Sequence, residues 1–293
     1  MVNYKKLILK NDLRVVVHTD RSTPLVSMNM LYMVGARDEN PNRTGFAHLF
    51  EHLMFGGSVN VPVFDKPLEM VGGENNAFTT NDLTNYYLTL PGQNIETAFW
   101  LESDRMDGLN INEKSLDVQR NVVVEEFKQT HLNQPYGDVW MLLRPLAYKT
   151  HPYQWPTIGK DPGHVEGASL EDVHEFYKHY YNPNNAILVL SGNIEMSKAE
   201  ELSEKWFGDI ENHGTVNRKL PGEMPQTGIR TLEVERDVPM DAIYMTWHMC
   251  KRDDPEYHTM DLISDILGNG NSSRFYQELV MKQKLFSELT AYI

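Results

Sequence analysis

The stretch Gly45-Phe46-Ala47-His48-Leu49-Phe50-Glu51-His52-Leu53-Met54-Phe55 decides how the rest of the chain is read. It is an apolar helical stretch with two histidines four residues apart. On an α-helix, positions i and i+4 lie one turn apart on the same face. The imidazoles of His48 and His52 can therefore reach one metal ion together. Glu51, three residues after His48 and next to His52, is close enough to touch a water held by that ion. Nitrogen ligands, an open position and a nearby base are the combination zinc chemistry asks for. A histidine on an apolar helix is commonly a packed core side chain, and the chain has 11 histidines, so the pattern needs a third ligand and a matching context.

A third ligand is available downstream. Glu113 to Gln129 reads as a helix with acidic residues beside the apolar run Val122-Val123-Val124. A carboxylate on a buried helix face is costly unless it meets a cation or a partner. Glu125 and Glu126 are adjacent, so they point about a quarter-turn apart and one of them faces the metal. Spacing alone does not choose between them.

The H-x-x-E-H order, the reverse of H-E-x-x-H, is the inverzincin motif. With it come Gly72-Gly73-Glu74-Asn75-Asn76-Ala77-Phe78-Thr79, Thr84-Asn85-Tyr86-Tyr87, Gln119-Arg120-Asn121-Val122-Val123-Val124-Glu125-Glu126, Tyr181-Asn182-Pro183-Asn184-Asn185-Ala186 and Ser272-Ser273-Arg274-Phe275-Tyr276-Gln277-Glu278-Leu279. In this order the segments resemble the pitrilysin/insulinase family of zinc peptidases, which includes the mitochondrial processing peptidase and many bacterial single-repeat subunits. The resemblance runs along most of the chain. It implies zinc held by His48, His52 and Glu126, with Glu51 as general base in the hydrolysis of peptide bonds. The place seven residues before the ligand glutamate, often a glutamate in the family, holds Gln119; Gln119 and Glu125 are candidates to tune the ligands from behind. The strand Asn76-Ala77-Phe78-Thr79 resembles the edge strand on which the family lays an extended peptide, with Asn76, Ala77 and Phe78 as its binding residues.

One departure bears on partners. Active members usually carry an Arg and a Tyr, seven residues apart, in the second domain, and Val280 and Ser287 stand in those places. In the family the metal motif and the Arg/Tyr pair can lie on different subunits. The resemblance therefore implies a heterodimer with a related chain lacking the zinc motif, or else a homodimer. A catalytically silent assembly subunit of the same fold is the alternative.

The chain has 293 residues, 41% hydrophobic and 23% charged, as in ordinary globular proteins. Its net charge of −14 argues against nucleic acid, whose binders present a basic face, and suits cationic peptides. No run approaches the roughly 18 apolar residues of a membrane span. A single cysteine excludes an intrachain disulfide. The N-terminus is too polar for a signal peptide, so a cytoplasmic location is expected, or a periplasmic one if a leader was removed.

Strands are expected at Leu13–His18, Val26–Val34, Asn76–Thr80, Thr84–Leu90 and Asn185–Ser191. Helices are expected at Val63–Val71, Ile95–Met106, Glu113–Gln129, Ser197–Phe207 and from Ser169 to before Asn182-Pro183. Residues 212–228, rich in Gly, Pro, Asn and charge, read as a linker between a metal-bearing domain, 1–215, and the beginning of a second, related domain, 229–293. In the second part, strands at Ile229–Glu235 and Asp241–Met249 and a helix at Met260–Leu267 echo Val26 to Gly57 without the motif. The expected class is α+β: a mostly antiparallel sheet covered by helices, repeated as two similar domains, the second truncated.

Overall fold

A computed structural model of the protein describes residues 2–293. The chain forms two compact units, one running to Tyr244 and the other comprising Met245–Ile293.

The first unit is built on a six-stranded sheet: β1 (Lys5–Ile8), β2 (Arg14–Thr19), β3 (Leu25–Tyr32), β4 (Glu74–Thr79), β5 (Thr84–Pro91) and β6 (Ala186–Gly192), in the order β1-β2-β6-β3-β5-β4. Only β2 and β6 run parallel; the other pairings are antiparallel. Period-two patterning sets the buried face. Val26, Met28, Met30 and Tyr32 of β3 and Ala186, Leu188 and Leu190 of β6 turn into the core, while their neighbours are more open.

Helices cover that face: α1 (Phe46–Leu53), α2 (Asp65–Met70), α3 (Ile95–Asp107), α4 (Glu113–Phe127), α5 (Val139–Ala147), α6 (Pro162–Glu166), α7 (Leu170–Tyr180) and α8 (Met196–Phe207). Their ends carry the expected chemistry. The Ser169 hydroxyl accepts the Asp172 N–H and the Asp172 carboxylate accepts the Ser169 N–H at the start of α7, which stops before Pro183. Gly72, at φ +75°, follows α2 in a conformation L side chains rarely adopt. After Phe127, α4 widens into a π turn, Lys128–Leu132. The strand β1 and the helices α5 and α6 were not expected from the sequence.

The strands expected at Ile229–Glu235 and Asp241–Met249 do not form. An alternating segment becomes a strand only when a neighbouring edge takes up its N–H and C=O groups, and no described segment does so here. Residues 229–240 are instead held within the first unit through side chains. Arg230 donates to the carbonyls of Leu146 and Ala147, Arg236 to Asp138, and the Tyr136 hydroxyl to the Met240 carbonyl. The second unit contains the expected helix, α9 (Tyr257–Gly268), and a π-helical stretch, Tyr276–Lys282.

Candidate metal centre

α1 is positioned at its N-terminus by a buried carboxylate. Glu39, only 6% exposed, accepts the N–H groups of Gly45 and Ala47 at 2.9 Å each and the indole N–H of Trp155 at 3.2 Å. This satisfies helix-start donors that burial would otherwise strand. Burial pushes the Glu39 carboxyl up to about 8, against the pull of those three donors. Gly45 has φ +92°, and a Cβ there would meet the Ile158 carbonyl oxygen at 2.7 Å, so the entry to the helix needs glycine. Phe46, Ala47, Leu49, Phe50 and Leu53 are buried along one side. The Phe50 ring stacks on Phe176 and Tyr181, and the Tyr86 hydroxyl donates to the Phe50 carbonyl at 3.3 Å. The opposite side presents His48, Glu51 and His52, all partly exposed.

The structure brings His48, His52 and Glu126 together. The two Nε2 atoms are 3.4 Å apart, and Glu126 Oε2 lies 3.6 Å from His48 Nε2 and 3.3 Å from His52 Nε2. These three residues offer ligand atoms that all lie within 4.8 Å of one another. Zinc bonds of about 2.0–2.1 Å in a tetrahedron give ligand-to-ligand edges of about 3.3–3.4 Å. The observed separations match that figure, and two imidazoles with one carboxylate leave a fourth corner free. The residues present therefore fit zinc.

The electrostatics agree. Burial, together with nearby His52, lowers the pKa of His48 against the opposing pull of Glu126, keeping the imidazole in its neutral, ligating form. The hydrogen bond with His52 holds Glu126 low despite partial burial. His48 Nδ1 is buried and bonds to no described residue, so packing rather than a rear hydrogen bond orients the ring.

Adjacent residues on α4 part company, as a helix requires. Glu126 faces the histidines, whereas Glu125 is exposed and pairs with Lys128 at 2.7 Å. Glu125 is therefore not placed to tune the cluster, a correction that follows from the 100° between neighbouring residues. Gln119 lies two turns before Glu126 on the same helix, half-buried, and its side chain bonds to no described residue.

β4 is the outer strand of the sheet, beside β5 only. The Thr80 N–H to Leu83 C=O bond closes the β4–β5 turn. Ladder alternation then turns the N–H and C=O of Ala77 and Thr79 away from β5, toward the open edge. The Ala77 N–H meets its own neighbour there, Asn76 Oδ1, at 2.8 Å. Asn76 and Phe78 project from the exposed side of β4 while Ala77 and Thr79 lie half-buried. The last strand residue touches the cluster: the Thr79 hydroxyl donates to Glu51 Oε2 at 2.6 Å.

Thr79, Glu39 and Trp155 were missed by the sequence reading. Thr79 ends a strand that was read correctly, and only the third dimension puts it beside Glu51. Glu39 sits in a run of polar residues, 37–43, that reads as an exposed loop. Nothing local signals its burial.

Comparison with known proteins settles the family. The profile of "Insulinase (Peptidase family M16)" matches residues 14–161. The chain belongs to the insulinase family, peptidase family M16. A second profile, "Peptidase M16 inactive domain", matches residues 167–293. The zinc protease PqqE of Helicobacter pylori is 32% identical over 291 residues, 97% of this chain and 65% of that protein. A probable mitochondrial-processing peptidase subunit beta of Arabidopsis thaliana is 22% identical, the match covering 90% of this chain and 50% of that protein. The crystal structure of a protease from Helicobacter pylori superposes with a TM-score of 0.86 at 30% identity, covering 98% of this chain and 70% of that one. The chain thus spans about half to two-thirds of the length of these relatives. The family agrees with the α+β architecture found here and with the expectation drawn from the motifs.

Proposed function

We propose that the chain is a zinc endopeptidase subunit that hydrolyses peptide bonds in extended peptides or unfolded segments. The observation that carries this reading is the convergence of His48, His52 and Glu126 at tetrahedral-edge spacing, open on one side and flanked by Glu51. The names of the relatives as zinc proteases support the choice of metal. When bound, zinc would supply Lewis acidity, polarising a peptide carbonyl and easing the deprotonation of water. His48, His52 and Glu126 would hold it. Glu51 would accept the proton of the attacking water and pass it to the leaving nitrogen, which departs as an amine. The open edge of β4 would receive the substrate through main-chain bonds at Ala77, with Asn76 and Phe78 alongside. Such docking demands an extended segment and reads little sequence.

Residues 1–215 form the metal-bearing domain in this reading, and 229–293 belong to a related domain without the motif. The presence of Val280 and Ser287, in place of the Arg and Tyr that the resemblance implies, favours a partner chain that supplies them. The Arabidopsis relative's name as a subunit supports pairing.

The test is cleavage of a quenched, unstructured peptide by the zinc-loaded chain against its Glu51→Gln variant. The variant should retain zinc and lose about 10²–10⁴-fold in kcat. Normal turnover by Glu51→Gln would remove Glu51 from the base role. Zinc binding without cleavage in any pairing would favour the silent assembly subunit.

A further inference from the structure

A glutamate on a helix surface has several rotatable bonds, and a base must be aimed before it can act. Glu51 is only half-buried, and its Oε1 bonds to no described residue. Its one fixed point is the 2.6 Å bond from the Thr79 hydroxyl to Oε2. That length is typical of a hydroxyl donating to a charged oxygen, a strong class of hydrogen bond.

Thr79 is itself immobilised. It is β-branched and stiff at χ1. Its cross-strand neighbour Thr84 is buried and donates through its hydroxyl to the Val34 carbonyl at 2.9 Å. The turn that follows is tied down as well: the Thr80 and Asn81 carbonyls accept the N–H groups of Ala36 and Arg37 at 3.2 and 2.9 Å. Those residues adjoin Glu39, which holds the N-terminus of α1. The end of β4 and the start of α1 are therefore braced against one another, and the Thr79 hydroxyl spans the gap at Glu51.

We propose that Thr79 is the positioning residue for Glu51, so that the strand that receives the peptide also aims the base. The inference rests on the peptidase reading above. Thr79 turns its N–H and C=O toward the open edge while its side chain holds Glu51. A peptide added to β4 thus bonds to the same residue that fixes the base, coupling substrate docking to base alignment.

The experiment compares the full zinc-loaded chain with Thr79→Val and Thr79→Ser. Valine keeps the shape and removes the donor; serine keeps the donor. Thr79→Val should lose about 10–100-fold in kcat, with KM and zinc affinity within about twofold of the parent. Thr79→Ser should recover most of the loss. Parental kcat in Thr79→Val, a loss confined to KM, or equal loss in Thr79→Ser would each overturn the proposal. A crystal structure of Thr79→Val supplies a readout independent of turnover. If the parent chain cleaves nothing, alone or in any pairing, the peptidase reading fails on its own. In that outcome, a reoriented Glu51 carboxylate in Thr79→Val still supports the Thr79 assignment, and an unmoved one refutes it.

Discussion

The helix that carries His48 and the segment 212–240 are fixed by opposite means, and two carboxylates show the difference. Glu39 is buried at the start of α1 and accepts two backbone N–H groups and an indole. Glu223 is only half-buried, at the surface, and it accepts the successive backbone N–H groups of Lys149, Thr150 and His151 at 2.8–3.0 Å. Partial desolvation pushes the Glu223 carboxyl up, but the N–H groups of His151, Thr150 and Lys149 outweigh it and hold it at about 2. At Glu39 the same kind of donors fail to overcome burial, and the carboxyl rises to about 8. The donors are alike and the solvent is not. One region is a rigid, desolvated mount for the metal ligands. The other is a strap laid on the surface and stapled at intervals by Arg218 to Asp38, Glu223 to 149–151 and Arg230 to the end of α5.

The largest effects belong to the rigid mount. His48→Ala, His52→Ala or Glu126→Ala should weaken zinc binding by more than the roughly 10–100-fold that supporting residues contribute. Glu125→Ala, one residue away, should leave it unchanged. Zinc affinity by chelator competition separates the two carboxylates, and equal losses would break the facing argument for α4.

Next comes Glu39→Ala, which removes the acceptor of the Gly45 and Ala47 N–H groups and leaves the Trp155 indole only its bond to the Ala36 carbonyl. It should cost about 2 kcal/mol, read as a lower midpoint in urea. An unchanged midpoint would mean that Glu39 does not brace α1.

The two carboxylates should also impose opposite pH trends. Glu39 has a folded pKa above the ordinary 4.5, so its contribution is complete at low pH and is lost as pH rises from about 4.5 to about 8. Glu223 has a folded pKa below 4.5, so its contribution is present above that value and is lost as pH falls toward about 2. Denaturation midpoints across pH for the parent, Glu39→Gln and Glu223→Gln should show one slope vanish in each variant. Matching slopes in both variants would erase the contrast. The smallest effect is expected for Glu223→Ala, whose loss of stability at neutral pH should equal what the parent loses when acid protonates Glu223, with faster limited proteolysis between 212 and 228.

What the sequence made legible follows from which interactions are local. His48 and His52 lie one turn apart, so their convergence is built into a single helix. The elements β3, β5, β6, α3, α7 and α8 carry periodicity that declares itself within a few residues, and α7 adds a cap at Ser169. The choice of Glu126 over Glu125 needed the facing of α4, and the pairing of Thr79 with Glu51 needed a strand end brought to a helix 28 residues away. Glu39 looks like loop because its partners, Gly45, Ala47 and Trp155, are scattered along the chain. Residues 229–235 and 241–249 failed in the other direction. Their alternation suits a strand, but a strand requires a partner edge, and local pattern does not supply one.

The most direct test of the central claim is the coordination shell of zinc added to the purified chain, read by X-ray absorption and by crystallography. The account predicts one zinc per chain, with two imidazole nitrogens from His48 and His52 and one carboxylate oxygen from Glu126. Absence of stoichiometric zinc, or a shell built from other residues, would contradict it.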